Sequence, residues 1–206
     1  RSPGGLPANQ TLCAGTSPGG LLWIGTVNQG IARLRPDGTF RRALTTFDGL
    51  PLDRVQALHR TGDSVWVGTS GGVALFTENQ ANGQVALRRS DSSASTAGAL
   101  ISDDVRALAT LGDTLWCATG AGLAAFAAGA WIDRTDVLAA PAGALLAVAD
   151  TLWIGSAAGP RPYANGALGP VAPGHFGECL ALARAGGVVY SGTNGIGVFR
   201  YAGGAW

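Results

Sequence analysis

Five times along this chain a short strand centred on an aromatic residue runs straight into a turn of small residues: Leu22-Trp23-Ile24-Gly25-Thr26, Val65-Trp66-Val67-Gly68-Thr69, Leu115-Trp116-Cys117-Ala118-Thr119, Leu152-Trp153-Ile154-Gly155-Ser156 and Val189-Tyr190-Ser191-Gly192-Thr193. The aromatic positions 23, 66, 116, 153 and 190 are 43, 50, 37 and 37 residues apart. Repeats of about 40–50 residues are the length of a four-stranded propeller blade. One blade cannot bury both of its faces by itself, so such copies are stable only when packed against one another.

The flanks of the motif repeat too. Val55-Gln56-Ala57-Leu58, Val105-Arg106-Ala107-Leu108, Ala144-Leu145-Leu146 and Cys179-Leu180-Ala181-Leu182 precede the aromatic at similar distances and read as first strands. Thr61-Gly62-Asp63-Ser64, Leu111-Gly112-Asp113-Thr114 and Val148-Ala149-Asp150-Thr151 then supply the chemistry of tight hairpins. Third strands follow at Ile31–Leu34, Val73–Phe76, Leu123–Phe126 and Val198–Tyr201, and fourth strands at Asp37–Arg42 and Ala128–Asp133. The pattern predicts an all-β fold: a five-bladed β-propeller of four-stranded antiparallel blades at roughly 8–46, 52–90, 102–136, 142–172 and 177–206, forming a single domain. Blade 4 is expected to be irregular, because Pro160 and Pro162 fall where a third strand must pair. Arg1-Ser2-Pro3-Gly4-Gly5-Leu6-Pro7 resembles the link Phe47-Asp48-Gly49-Leu50-Pro51 that leads into blade 2, so the N-terminal segment is expected to complete or abut blade 5 and close the ring.

Composition supports this picture and excludes others. With 47% hydrophobic residues in 206, the chain can build a core, while 33 glycines and 10 prolines disfavour long helices. Only 13% of residues are charged and the net charge is +1, which speaks against a nucleic-acid partner. No apolar run approaches the roughly 18 residues of a spanning helix, so direct membrane insertion is not expected. Cys13, Cys117 and Cys179 form no C-x-x-C pair and read as free thiols. The absence of Met and the start at Arg1 suggest a processed chain or an excerpt from a longer one.

The segments "LLWIGTVNQGIARL", "SVWVGTSGGVALF" and "FDGLPLDRVQAL" resemble the two-component-regulator propeller repeat, with its Gly-Leu-Pro link, Leu-Trp-Ile-Gly-Thr strand and Gly-Gly-Leu strand. The resemblance is strong in blades 1 and 2, fair in 3 and 5, and weak in 4. It implies a propeller and, more loosely, an extracytoplasmic sensing part of a signalling protein or a stand-alone secreted chain, hence a periplasmic or extracellular location.

Candidate chemistry is sparse. Gly68-Thr69-Ser70-Gly71-Gly72 fits the G-x-S-x-G elbow of serine hydrolases, but a strand, not a helix, follows it, so Ser70 is read as a turn residue. A phosphate-cradling loop fails for want of a helix N-terminus and a Lys. With only His59 and His175, a His-rich metal centre is excluded, and turn residues Asp63, Asp113 and Asp150 lack calcium-loop spacing; no metal or cofactor is expected. His175-x-x-Glu178 is the best pair for acid–base work. The repeat also aligns Gln10, Arg54, Asp104, Pro141 and Glu178 immediately before the first strands. With Asn9, Asp53, Asp103 and His175 beside them, they are expected to form a polar rim able to take a small polar ligand or a partner's loop. Asp53 and Asp103 can alternatively serve backbone groups there.

The reading that follows is a non-catalytic extracytoplasmic binding or scaffolding module, an accessory subunit that recognises a partner protein, such as a membrane-bound complex. The alternatives are a ligand-sensing domain of a two-component-type signalling protein and, third, a propeller lyase or hydrolase.

Overall fold

The computed structural model describes residue 6 and residues 8–206. The chain divides into two compact units, Arg1–Arg106 and Ala107–Trp206. In the first, β1 (Thr11–Thr16), β2 (Leu22–Thr26), β3 (Ile31–Leu34) and β4 (Phe40–Leu44) make one antiparallel sheet, and β5 (Val55–Thr61), β6 (Ser64–Thr69), β7 (Gly72–Glu78) and β8 (Val85–Asp91) a second. A third sheet follows, β9 (Val105–Leu111), β10 (Thr114–Thr119), β11 (Leu123–Ala127) and β12 (Ala130–Asp133), its first strand beginning where the units meet in sequence. The second unit continues with β13 (Ala142–Val148), β14 (Thr151–Ser156), β15 (Gly159–Ala164) and β16 (Ala167–Leu168), then β17 (Cys179–Ala185), β18 (Val188–Thr193) and β19 (Val198–Tyr201). Each sheet pairs its strands in chain order, the meander that defines a blade.

The repeated motif can be explained residue by residue. Successive side chains of a strand point to opposite faces. Within each unit, position one of the second strand (Val65, Leu152, Val189) therefore faces one neighbouring blade, and position two, the aromatic, faces the other. Trp23 meets Phe76 of the following blade with ring centroids 6.4 Å apart, Trp116 meets Tyr163 at 5.0 Å and Trp153 meets Tyr201 at 4.7 Å. The glycine at position four shares the aromatic's face and lies against the next blade's first strand. A Cβ on Gly25 would come within 2.7 Å of Val55 Cγ1, on Gly68 within 2.6 Å of Val105 Cγ1, and on Gly155 within 2.6 Å of Cys179 Sγ. Blade 3 carries Ala118 here; its neighbour in the same core cluster is the small Ala142, which leaves room for the methyl.

The hydroxyl at position five locks the following turn. Thr26, Thr69, Thr119 and Thr193 each donate to the carbonyl of Gly30, Gly72, Gly122 and Gly197 at 2.9 Å, and Ser156 to Gly159 at 3.2 Å. In four of the five, that hydroxyl also accepts from a turn amide: Gln29, Gly71, Ala121 or Ala158. Gly72 closes the turn at φ 128°, and a side chain there would run into the Asp91 carbonyl. The glycines of "GTSGG" are thus consumed by packing and turn geometry.

Blade 4 departs from the expected irregularity. Its third strand forms in full, with Pro162 opposite Trp153 and Pro160 opposite Gly155. Prolines two residues apart direct their nitrogens to the same edge. The Pro162 carbonyl accepts from Gly169 N at 2.7 Å on the β16 side, so the missing N–H groups lie on that side. The cost falls on β16, which is two residues long, and not on the β14 pairing. Blade 5 has three strands plus an isolated bridge, Ala202↔Ala205. The expected closure by the N-terminal segment concerns Arg1–Gly5 and Pro7, which lie outside the described residues.

Candidate functional site

Gln10, Arg54, Asp104, Pro141 and Glu178 each stand one residue before β1, β5, β9, β13 and β17. In the first unit the entry into the first strand is tied to the turn after the second: Val27 N donates to Gln10 O and Ser70 N to Arg54 O, both at 3.2 Å. The backbone thereby presents the side chains of the strand start and of the turn at the same end of the blade.

A polar chain crosses from β5 to β9 at this end. Arg54 Nε donates to Gln56 Oε1 at 3.3 Å, and Gln56 Nε2 donates to Asp104 Oδ1 at 2.7 Å and to Val105 O at 3.1 Å. Arg106 completes it, donating through Nε to Asp104 Oδ2 at 2.8 Å, with its terminal nitrogen 2.7 Å from the same oxygen. Burial pushes the Asp104 carboxyl upward, but the hydrogen bonds from Gln56 and Arg106 and the nearby guanidinium charges outweigh it, and its pKa lies below the usual aspartate value. Asp104 is therefore ionised and flanked by two arginines, so the cluster carries a net positive charge.

At the entrance of blade 1, Ala8, Asn9, Gln10, Asn28 and Gln29 line an open groove of about 330 Å³. Four of its five lining residues are carboxamides, each offering two N–H donors and an oxygen acceptor without a charge. Asp53 and Asp103 turn elsewhere: Asp53 Oδ1 accepts from Thr46 N at 2.7 Å, and Asp103 Oδ1 accepts from Ser93 N. Both carboxylates hold the connectors that enter their blades.

In the second unit His175 and Glu178 do not form a pair. Among the described residues no hydrogen bond joins them; Glu178 is exposed, while His175 turns inward onto Ser191, Nε2 to Oγ 2.9 Å. Ser191 Oγ donates to Cys179 Sγ at 3.2 Å, and Cys179 Sγ donates to Ala181 O at 3.6 Å. Because the single serine proton goes to sulfur, Oγ accepts from His175 Nε2–H, and Nδ1 is the bare, buried ring nitrogen without a hydrogen-bond partner. Burial lowers the His175 pKa and raises that of Cys179, so both are neutral near pH 7. Phe199 and Trp206 pack on the imidazole at centroid distances of 4.6 and 5.4 Å. Ser191 is fully buried. The Ser–His contact therefore has no accessible nucleophile and serves to anchor the loop that enters β17.

His59 lies half-buried on β5, lining a small cavity of about 120 Å³ with Trp23 and Leu58. Among the described residues no group of three or more His, Cys, Asp or Glu is placed to hold a metal ion. All three cysteines are free thiols.

No protein-family model matches the chain, and no curated protein matches it in sequence. Solved structures do. The extracellular domain of BT3049 from B. thetaiotaomicron, assigned as a hybrid two component system, superposes with a TM-score of 0.73 at 18% identity over 96% of this chain. The extracellular domain of BT4673 from the same organism, assigned as a one component system, gives 0.73 at 21% identity, again over 96%. This chain spans 27% of the length of either. The computationally designed Ika8 protein gives 0.63 at 17% identity, over 93% of this chain and 57% of its own.

The fold is a five-bladed β-propeller, structurally related to these extracellular domains. Within the propeller, two participants at the blade entrances escaped the reading of the sequence. Gln56 and Arg106 are the second residues of V-Q-A-L and V-R-A-L, and comparing those repeats would have found them. Ser191 is the one polar residue in a column otherwise filled by Ile24, Val67, Cys117 and Ile154, a visible signal for its special partner.

Proposed function

We propose that this chain is a non-catalytic, extracytoplasmic ligand-sensing module of a signalling protein, periplasmic or extracellular in location, and that it reads its ligand at the entrances of the first-unit blades. The observation that carries the reading is the uncharged carboxamide groove at the entrance of blade 1 (Asn9, Gln10, Asn28, Gln29), with the Arg54–Gln56–Asp104–Arg106 chain at the entrances of the next two blades in sequence. Such a surface suits a small polar molecule with several hydroxyl or carbonyl groups and at most one negative charge: amides bind the neutral groups from either side, and guanidinium groups receive the anion. The likeness to extracellular domains of one- and two-component systems favours this sensing role over that of an accessory scaffold. Glu178 and His175 are not part of the proposed surface.

The test is a thermal-shift and calorimetric screen with neutral polyols, small amides and monocarboxylates. A ligand at 100 times its Kd adds about 2.7 kcal/mol to stability. That gain should disappear in Gln10→Ala/Asn28→Ala and persist in Ser70→Ala. A ligand whose binding is indifferent to the groove variants would overturn the site, and tight capture of a membrane-complex subunit by the same face would restore the scaffold reading.

A further inference from the structure

Blade 1 lacks a side chain at a place where other blades carry one. The residue paired with the second-strand aromatic is His59 opposite Trp66, Leu146 opposite Trp153 and Ala183 opposite Tyr190, but Gly15 opposite Trp23. Neither conformation nor crowding calls for glycine there. The φ of Gly15 lies outside the left-handed region, and a Cβ would meet only Leu58 Cβ, at an ordinary 3.7 Å. What the missing side chain supplies is space.

That space is the cavity of about 120 Å³ between blades 1 and 2, walled by Gly15 and Trp23 on one side and by Leu58, Arg60 and Val65 on the other. A water takes about 30 Å³ in the liquid, so the cavity has room for about four waters or one solute of that size. Its polar chemistry runs one way. Trp23 is 1% exposed, and its Nε1–H is buried without a hydrogen-bond partner. Arg60 pairs with Val65, so its side chain shares the face that Val65 turns to blade 1, and its Nε is held on Gly62 O at 3.2 Å. An indole N–H and a guanidinium only donate, and no carboxylate lines the cavity. Leu58, Val65 and the indole ring supply an apolar wall beside these donors.

We infer that this cavity is a binding site for a small monocarboxylate of acetate or propionate size, separate from the carboxamide groove. The carboxylate oxygens accept from Trp23 Nε1–H and from the Arg60 guanidinium, and the short chain lies against Leu58 and Val65. Gly15 and Arg60 stand near the ends of β1 (Thr11–Thr16) and β5 (Val55–Thr61), the opposite ends of those strands from Gln10 and Arg54. The site therefore shares no residue with the groove and does not rest on what the groove binds.

Titration of the isotope-labelled chain with propionate, followed by NMR at constant ionic strength with propionamide as the neutral control, tests this. The Trp23 indole N–H signal should move and saturate, and propionate should bind about tenfold more tightly than propionamide. Gly15→Leu, which puts into blade 1 the residue that blade 4 carries at Leu146, should abolish the saturable shift. Arg60→Gln should weaken propionate binding about tenfold and leave that of propionamide as it was. An indole signal that does not move, equal binding of acid and amide, or undiminished propionate binding in Gly15→Leu overturns the proposal. So does propionate binding that is lost in Gln10→Ala/Asn28→Ala and kept in Gly15→Leu, which assigns the ligand to the groove instead. Should Gly15→Leu misfold by circular dichroism, Gly15→Val takes its place in the same comparison.

Discussion

The indole of Trp153 stands edge-on to the ring of Tyr201, centroids 4.7 Å apart and planes at 64°, and Trp206 meets the same indole at 5.5 Å. This is the joint between blades 4 and 5. Edge-on aromatic pairs gain from the fit of a positive ring edge to a negative ring face, beyond the area they bury.

Trp153→Ala should therefore destabilise the protein by about 3–5 kcal/mol, the range of buried aromatic truncations. Tyr190→Ala, the same position one repeat later, should cost less, below about 1 kcal/mol, because its side chain is only half-buried. Urea unfolding of the two variants checks the contrast.

Gly155→Ala should lose about 1–3 kcal/mol, because the new methyl meets both Cys179 Sγ and, at 3.0 Å, the Cys179 carbonyl, which is backbone and cannot step aside. Gly192→Ala meets nothing closer than ordinary contact and should leave the melting temperature within about two degrees. Equal losses at the two sites would contradict the assigned blade-to-blade approach.

Stability should fall as pH drops below about 6.5, the ordinary histidine value. The pKa values of both His175 and His59 are lowered by burial, so the unfolded chain binds more protons in this window and acid favours it. The benefit of a neutral imidazole is fully present above the unfolded pKa and is lost toward the folded one. His175→Gln, whose amide can still donate to Ser191, should flatten part of the slope measured by chemical denaturation between pH 7 and 5.

The thiols should be silent toward a disulfide reagent in the native state. Burial pushes Cys13 up to about 11 and raises Cys117 and Cys179 as well, leaving little thiolate at pH 8. Three equivalents should appear only on unfolding, and rapid labelling of Cys179 would refute the hydrogen-bonded chain from His175.

Much of this fold was legible because the repeat is written in local chemistry. Alternation placed Trp23 and Leu22 on opposite faces, Gly-Asp and Gly-Gly pairs marked the reversals, and the residues before the first strands were identified to the position. Blade 4 misled because a proline in a strand is costly only on the edge that its nitrogen faces, and the edge is chosen by pairing with β14 and β16. His175 and Glu178 misled for a related reason: three residues apart in a loop, they can point either way, and the hydroxyl that claims the imidazole lies in a strand sixteen residues further on.

The sequence by itself determined the number of blades, most of their strands and the turns that join them, since these follow from propensity and periodicity over a few neighbouring residues. Only the tertiary structure decided which side chains meet across blades: Gln56 with Asp104, Trp153 with Tyr201, His175 with Ser191. Those meetings depend on how one sheet's face lies against the next, a relation between segments distant in the chain, and no local pattern of residues carries it.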